Sequence, residues 1–276
     1  MVLSVVIPAH NEAANLPQLL QEIHTALSRR DDYEVIVVDD GSSDNTQAVL
    51  DDIQANFLEL RIVRHATHCG QSAALMTGVD AATGDIIATL DGDGQNDPAD
   101  MPGMIELLSQ ARQTEDVRMI AGFRNKRRDS RWRLISSRIA NAVRSRILRD
   151  ETPDSGCGIK VFLKQAFVIM PRFNHMHRFL PALIVRGGGK VVSYPVNHRP
   201  RIHGKSHYDT LRRLIVGIVD LMGVAWLLRR NTLSVVERMD PIYDERPNLD
   251  SIRFNRTTPV HISIHRAVAY TSRGAD

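Results

Sequence analysis

The sequence predicts a doubly wound α/β domain: a mostly parallel sheet with helices on both faces. Two observations carry that expectation. Through the first 123 residues, short β-branched runs alternate with longer segments of helical spacing, and the runs are continuously apolar. Strands buried on both faces read this way, whereas a sheet with one wet face alternates apolar and polar residues. A third observation places the ligand side. Polar clusters follow the first, second and fourth runs, and in open α/β sheets ligands sit beyond the carboxyl ends of the strands.

Taken in order, "LSVVIP" (3–8) is the first strand and runs into "PAHNE" (8–12). "NLPQLLQEIHTALSR" (15–29) is the first helix. "YEVIVVD" (33–39) is the second strand, ending in "DDGSSD" (39–44), and "NTQAVLDDIQANF" (45–57) is the next helix. "LRIVRH" (60–65), "GQSAALMTGVDAA" (70–82), "DIIATLD" (85–91), "PADMPGMIELLSQAR" (98–112) and "VRMIAGF" (117–123) complete the alternation. After Phe123 the pattern changes. A basic segment of helical spacing over 131–149 leads to "GCGIKVF" (156–162), read as a tight turn into a strand, and to "GGGKVVSYPVNHRPR" (187–201). The expected organisation is one main domain over 1–210, with residues 1–123 and 124–210 as its two halves. An apolar helix over 211–230 follows, and then a tail over 231–276 to which no role is assigned.

The formal charge is only +3, but it is unevenly spread. From Arg124 to Arg149 there are ten Lys or Arg and one acid, Asp129, which suggests an anionic partner. Nucleic acid is disfavoured because Trp132 is the only aromatic residue in that block. "RDSRW" (128–132) is read as the start of the basic helix. Cys69 and Cys157 lack metal-site spacing and fit a reducing compartment. Cys157 has no evident histidine to activate it, so it is not read as a nucleophile. His24, His65 and His68 are read as surface or packing residues. The N-terminus has no basic leader or cleavage site, so no secretory signal is expected. "LIVGIVDLMGVAWLL" (214–228) falls short of the roughly 20 apolar residues a membrane span needs.

The sharpest local signal is "DGDGQNDPAD", with four aspartates in ten residues after an apolar strand. A calcium loop starting at Asp91 fails, since it would need Gly at its sixth position and Glu at its twelfth, where Asn96 and Pro102 stand. Asp97 before Pro98 suits a helix cap. That leaves Asp91 and Asp93, whose carboxylates on one side of a turn can share a hard divalent cation with open positions for diphosphate oxygens. In "VVDDGSSDNT", Asp44 suits a cap, and Asp39 or Asp40 can accept hydrogen bonds from a nucleotide base or ribose. Neither GxGxxG nor GxxxxGK[ST] occurs.

"VVIPAHNEAANL", "VIVVDDGSSDNT", "GQSAALMTGVDAATGDIIATLDGDGQNDP" and "PVNHRPRIHGKSHY" occur in an order that resembles family 2 glycosyltransferases, more narrowly the dolichol-phosphate or polyprenyl-phosphate mannose synthase branch. The resemblance covers roughly residues 1–230. It implies a GT-A fold and inverting, Mg²⁺- or Mn²⁺-dependent transfer of a hexose from a nucleotide diphosphate sugar to a polyprenyl phosphate. GDP-mannose or a UDP-sugar would be the donor. It further implies that Pro8, His10, Glu12 and Asp40 line the nucleoside site, and that Asp91, Asp93 and Gln95 hold metal and diphosphate. Arg124, Arg128, Ser137, Arg201 and Lys205 become candidates for the phosphate groups and the acceptor, with Asp93, Arg201 and Lys205 carrying the catalysis. The chain departs from the family at His207, where members commonly have Lys.

The acceptor follows from chemistry. A sugar hydroxyl needs a general base, whereas a phosphate monoester, with a second pKa of about 6, is already largely dianionic at neutral pH. No marked base follows the metal motif; Asp154 is the best candidate for the hydroxyl reading. A lipid phosphate requires the enzyme to come to the membrane, so the expected location is the cytoplasmic face, peripheral. Residues 214–228 would then either lie in the interface or pack in the core.

Overall fold

The computed structural model describes residues 2–124, 144–148, 150, 152–200 and the backbone of 210–230, with side chains from Val216 onward. Seven strands form one sheet in the order β3-β2-β1-β4-β6-β5-β7. They are β1 (Leu3–Ala9), β2 (Tyr33–Asp39), β3 (Leu60–Arg64), β4 (Ile86–Thr89), β5 (Val117–Arg124), β6 (Lys160–Leu163) and β7 (Lys190–Val196). The helices are α1 (Leu16–Ala26), α2 (Thr46–Gln54), α3 (Gln71–Ala81), α4 (Met101–Thr114), α5 (Lys164–Val168), α6 (Leu180–Arg186) and α7 (Thr210–Arg229).

Each strand divides its side chains between two cores, which is why its sequence is apolar throughout. Leu3, Val5 and Ile7 of β1 and Val35 and Val37 of β2 face one side, with Leu16, Leu19, Leu20 and Ile23 of α1 and Met104 and Leu108 of α4. Val6, Ile36 and Val38 face the other, with Ala74, Leu75 and Val79 of α3 and with Phe167, Leu183 and Val224. The i, i+3, i+4, i+7 spacing in α1 is the buried stripe of an amphipathic helix, opened by Pro17 where a missing N–H costs nothing. α3 lies so close to the sheet that a Cβ on Gly78 would come within 2.4 Å of Val6 Cγ1.

One feature differs from the simplest expectation. β6, from the second half of the chain, is inserted antiparallel between β4 and β5, and β7 extends the sheet parallel to β5. The two expected parts of the 1–210 domain thus contribute strands to one sheet. α7 belongs to the same compact unit, residues 1–233. The tail over 231–276 and most of the basic segment expected to be helical over 131–149 lie outside the described residues; residues 144–148 are helical.

Candidate functional site

Because β2 lies on one side of β1 and β4 on the other, strand order reverses at β1, and the crevice opens at the carboxyl ends of β1 and β4. The three polar clusters meet there. Asn11, held at a left-handed φ of 57°, joins the first two: its Oδ1 accepts from the Ser43 and Asp44 amides at 2.8 and 3.2 Å, and its own N–H donates to Ser42 Oγ. Glu12 is oriented by Asn15 Nδ2 at 2.6 Å, and its N–H donates to Thr46 Oγ1. Pro8 is half-buried at the end of β1. His10 Nδ1 donates to the Asp40 carbonyl at 2.8 Å, with its ring against that of His68.

The two aspartates of "DDGSS" divide their work. Asp39 Oδ1 accepts from the Ser42 amide at 3.1 Å and shapes the turn. Asp40, 2% exposed, faces the loop before α3: the Cys69 and Gly70 amides donate to it at 2.9 and 2.7 Å, and His65 and His68 approach at 2.7 and 2.9 Å. Burial alone would raise its pKa; the Cys69 amide, His65 and the Gly70 amide outweigh that and hold the carboxyl below its ordinary range. Its oxygens thus accept from groups that the loop before α3 brings to the end of β2.

At the end of β4, Asp91 Oδ1 accepts from Gln71 Nε2 at 2.8 Å, and the Asp91 amide donates to Asn96 Oδ1. Asp93 Oδ1 accepts from the Gln95 amide at 3.1 Å. Gly158 passes directly behind Asp91, where a Cβ would lie 2.1 Å from Oδ2. Asp97 caps the following turn by accepting from the Ala99 amide, as its sequence position suggests. It also pairs with Arg199 at 2.8 Å, and Arg199 reaches Glu22 at 2.6 Å. Residues 197–199 are clamped to the acid loop: Asn197 binds Asp100, the Arg199 amide donates to the Gln95 carbonyl, and Asn96 bridges to His198. The chain enters 201–209 from this clamp. Arg201 and Lys205, like Arg128 and Ser137, lie outside the described residues.

Beneath the acid loop sit charges that sequence reading missed. Lys160 pairs in register with Thr89 of β4 and Ala121 of β5. It is 4% exposed, its Nζ donates to the Cys157 carbonyl, and burial pushes its pKa down while Cys157, Asp91 and Asp154 oppose that. Arg124, expected to meet phosphate, is paired at two points with Asp154, at 2.6 and 2.9 Å. Cys157 is buried, and burial raises its thiol pKa, in keeping with an inert thiol. Ser72 Oγ lies 2.8 Å from His177 Nδ1, and burial pushes His177 down to about 3.

That shift has a sign. A histidine neutral in the fold but protonated when unfolded gives stability that is present above 6.5 and lost as pH falls toward 3. Glu34, held at about 2 despite burial by Ser4, Thr83 and Arg61, loses its contribution only below 4.5. The melting temperature is expected to fall between pH 6.5 and 4.5, with a shallower slope in His177→Asn; equal slopes would assign the loss elsewhere.

Comparison with known proteins agrees with this geometry. Residues 4–169 match the family model "Glycosyl transferase family 2". The chain belongs to glycosyltransferase family 2. It is 35% identical over 232 residues to a dodecaprenyl-phosphate galacturonate synthase of Rhizobium johnstonii, covering 82% of this chain and 67% of that protein. It is 32% identical over 238 residues to an undecaprenyl-phosphate 4-deoxy-4-formamido-L-arabinose transferase of Sodalis glossinidius, covering 86% and 71%. Neither relative is named for mannose, so the mannose expectation is not carried forward. The fold is shared with a mannosyltransferase of Pyrobaculum calidifontis in complex with GDP-Man and Mn²⁺ (TM-score 0.63, 20% identity, 82% of this chain and 64% of that one). It is also shared with glucosyl-3-phosphoglycerate synthase of Mycobacterium tuberculosis in complex with Mn²⁺, UDP-glucose and glycerol 3-phosphate (TM-score 0.58, 20% identity, 83% and 80%). The GT-A architecture expected from sequence is thereby established for this family 2 glycosyltransferase.

Proposed function

We propose that this glycosyltransferase moves a sugar from a nucleoside diphosphate sugar to a polyprenyl phosphate. The observation that carries the reading is the pairing of Asp154 with Arg124. The best-placed candidate base is tied up in a two-point ion pair, so the site is poorly furnished to deprotonate a sugar hydroxyl. A phosphate acceptor needs no such group. The two relatives named for polyprenyl phosphates point the same way.

The donor would lie in the crevice with its nucleoside toward Pro8, His10, Glu12 and Asp39 and its diphosphate toward Asp91, Asp93 and Gln95. The all-oxygen donor set of Asp91 and Asp93 fits a hard cation such as Mg²⁺ or Mn²⁺, which when bound supplies Lewis-acid stabilisation to the leaving diphosphate. Gln71 orients Asp91 from one side and Gly158 closes the other. The clamp holds residues 197–199 at the acid loop, and Arg201 and Lys205, which follow it in the sequence, would supply the positive charge that neutralises phosphate.

Incubating the protein with undecaprenyl phosphate and a panel of GDP-mannose, UDP-galacturonate, UDP-glucose and UDP-N-acetylglucosamine tests the reading. Transfer that requires the lipid phosphate is expected for one donor. Equal transfer to polyprenol or a free sugar would overturn it in favour of the hydroxyl acceptor.

The acceptor implies a membrane surface, and α7 supports peripheral attachment. Val224 is buried, Leu221, Ala225, Leu227 and Leu228 pack on the core, and Asp220 bonds His175 at 2.8 Å. Ile218, Val219, Met222 and Trp226 form an opposite face, from 50% to 69% exposed. One face of this helix packs in the core, and the exposed face is the one that would meet the membrane interface. Among the described residues no helix is long and apolar enough to cross a membrane. Flotation with anionic liposomes at low salt is expected, weakened by salt and by Trp226→Ala; protein left wholly in the soluble fraction would count against it.

A further inference from the structure

Asp40, His65 and Cys69 come together beside the crevice, and catalysis as derived above uses none of the three. Among the described residues they are the one group of three His, Cys or acidic side chains whose ligand atoms all lie within 4.8 Å of one another. We propose that these residues form a second metal site, for a thiophilic divalent ion of the zinc class, separate from the oxygen site at Asp91 and Asp93.

The donor set is one sulfur, one imidazole nitrogen and one carboxylate oxygen, which suits zinc and related ions and is poor for magnesium. Water would complete the coordination, and His68 Nδ1, 2.9 Å from the other Asp40 oxygen, holds the carboxylate from outside the three. The supports that metal ligands need are also present. Thr77 Oγ1 lies 2.9 Å from His65 Nε2 and fixes the ring, and the Cys69 and Gly70 amides fix the carboxylate. A packing role for Asp40 alone accounts for the two amides, but not for an exposed thiol gathered with the His65 imidazole within 4.8 Å of the same carboxylate.

The protons balance without any other reactant. With no metal, His65 Nδ1–H donates to Asp40 and the Cys69 thiol donates to the Thr67 carbonyl at 3.2 Å. On binding, the imidazole proton moves to Nε2, where the Thr77 hydroxyl accepts it, and the thiol proton leaves to solvent. Little backbone movement is required, because the loop already abuts the strand end: a Cβ on Gly41 would meet the Thr67 carbonyl carbon at 2.5 Å. An ion here would tie the end of β2 to the loop that leads into α3, and thus to Gln71, which grips Asp91.

Cobalt titration of tag-free, full-length protein tests the site. Thiolate coordination gives a near-ultraviolet charge-transfer band that oxygen ligands cannot produce. The band is expected to saturate at one equivalent, to be abolished by zinc but not by excess magnesium, to vanish in Cys69→Ser and to persist in Asp93→Asn. Cys69 is exposed, so the serine variant is expected to fold, and far-ultraviolet circular dichroism checks this. In parallel, zinc at ten times its dissociation constant should slow Cys69 alkylation about tenfold. No band in the wild type, a band surviving Cys69→Ser, or alkylation unchanged by zinc would each overturn the assignment.

Discussion

Asp93→Asn is expected to lower sugar transfer by about 10²–10³-fold, the scale of losing one electrostatic stabiliser of developing charge. The circular dichroism spectrum and melting temperature should be unchanged. The substitution is nearly isosteric, and the new amide oxygen can still accept from the Gln95 amide now bonded to Asp93 Oδ1. The loop keeps its shape and loses only a charge. Turnover at saturating donor and acceptor, with Mg²⁺ or Mn²⁺ supplied, is the measurement. Near-wild-type turnover would remove the metal reading of the acid loop. Asp97 in the same loop behaves differently, because it caps a turn and pairs with Arg199. Its replacement by Ala should cost stability, about 1 kcal/mol for the cap.

The second large effect is expected at Arg201. Arg201→Ala should reduce kcat by about 10²-fold through loss of charge beside the departing diphosphate. The melting temperature should stay near that of the parent, because the clamp of Asn197, His198 and Arg199 on the acid loop is made without it. Arg199→Ala is the informative contrast. It breaks contacts to both Glu22 and Asp97, so it should lower stability as well as activity. A kcat for Arg201→Ala within about twofold of wild type would take this residue out of the catalytic machinery, since one lost electrostatic contact should cost far more.

Much of the first half was legible because its signals are local. Continuous apolar runs reported strands buried on both faces, and Asp97 with Pro98 reported a helix start. The antiparallel insertion of β6 was not legible. "KVF" carries the same apolar signal in any position of a sheet, and its neighbours in β4 and β5 are set by long-range pairing. Arg124 illustrates the same limit. A basic residue at a strand end reads as a phosphate ligand, and nothing nearby in the chain announces the Asp154 partner that the fold brings to it.

From the sequence alone came the alternation of strands and helices, the polar clusters at three strand ends and the two-carboxylate motif at Asp91 and Asp93. Each depends on the order of nearby residues, and backbone geometry turns that order directly into structure. Tertiary structure alone decided which groups surround each carboxylate. Asp39 and Asp40 are adjacent and chemically identical, yet the loop at 65–70 covers only Asp40 and supplies it with two amides and two imidazoles. What a carboxylate can bind depends on the groups that distant segments bring to it. Periodicity along the chain does not record those donors.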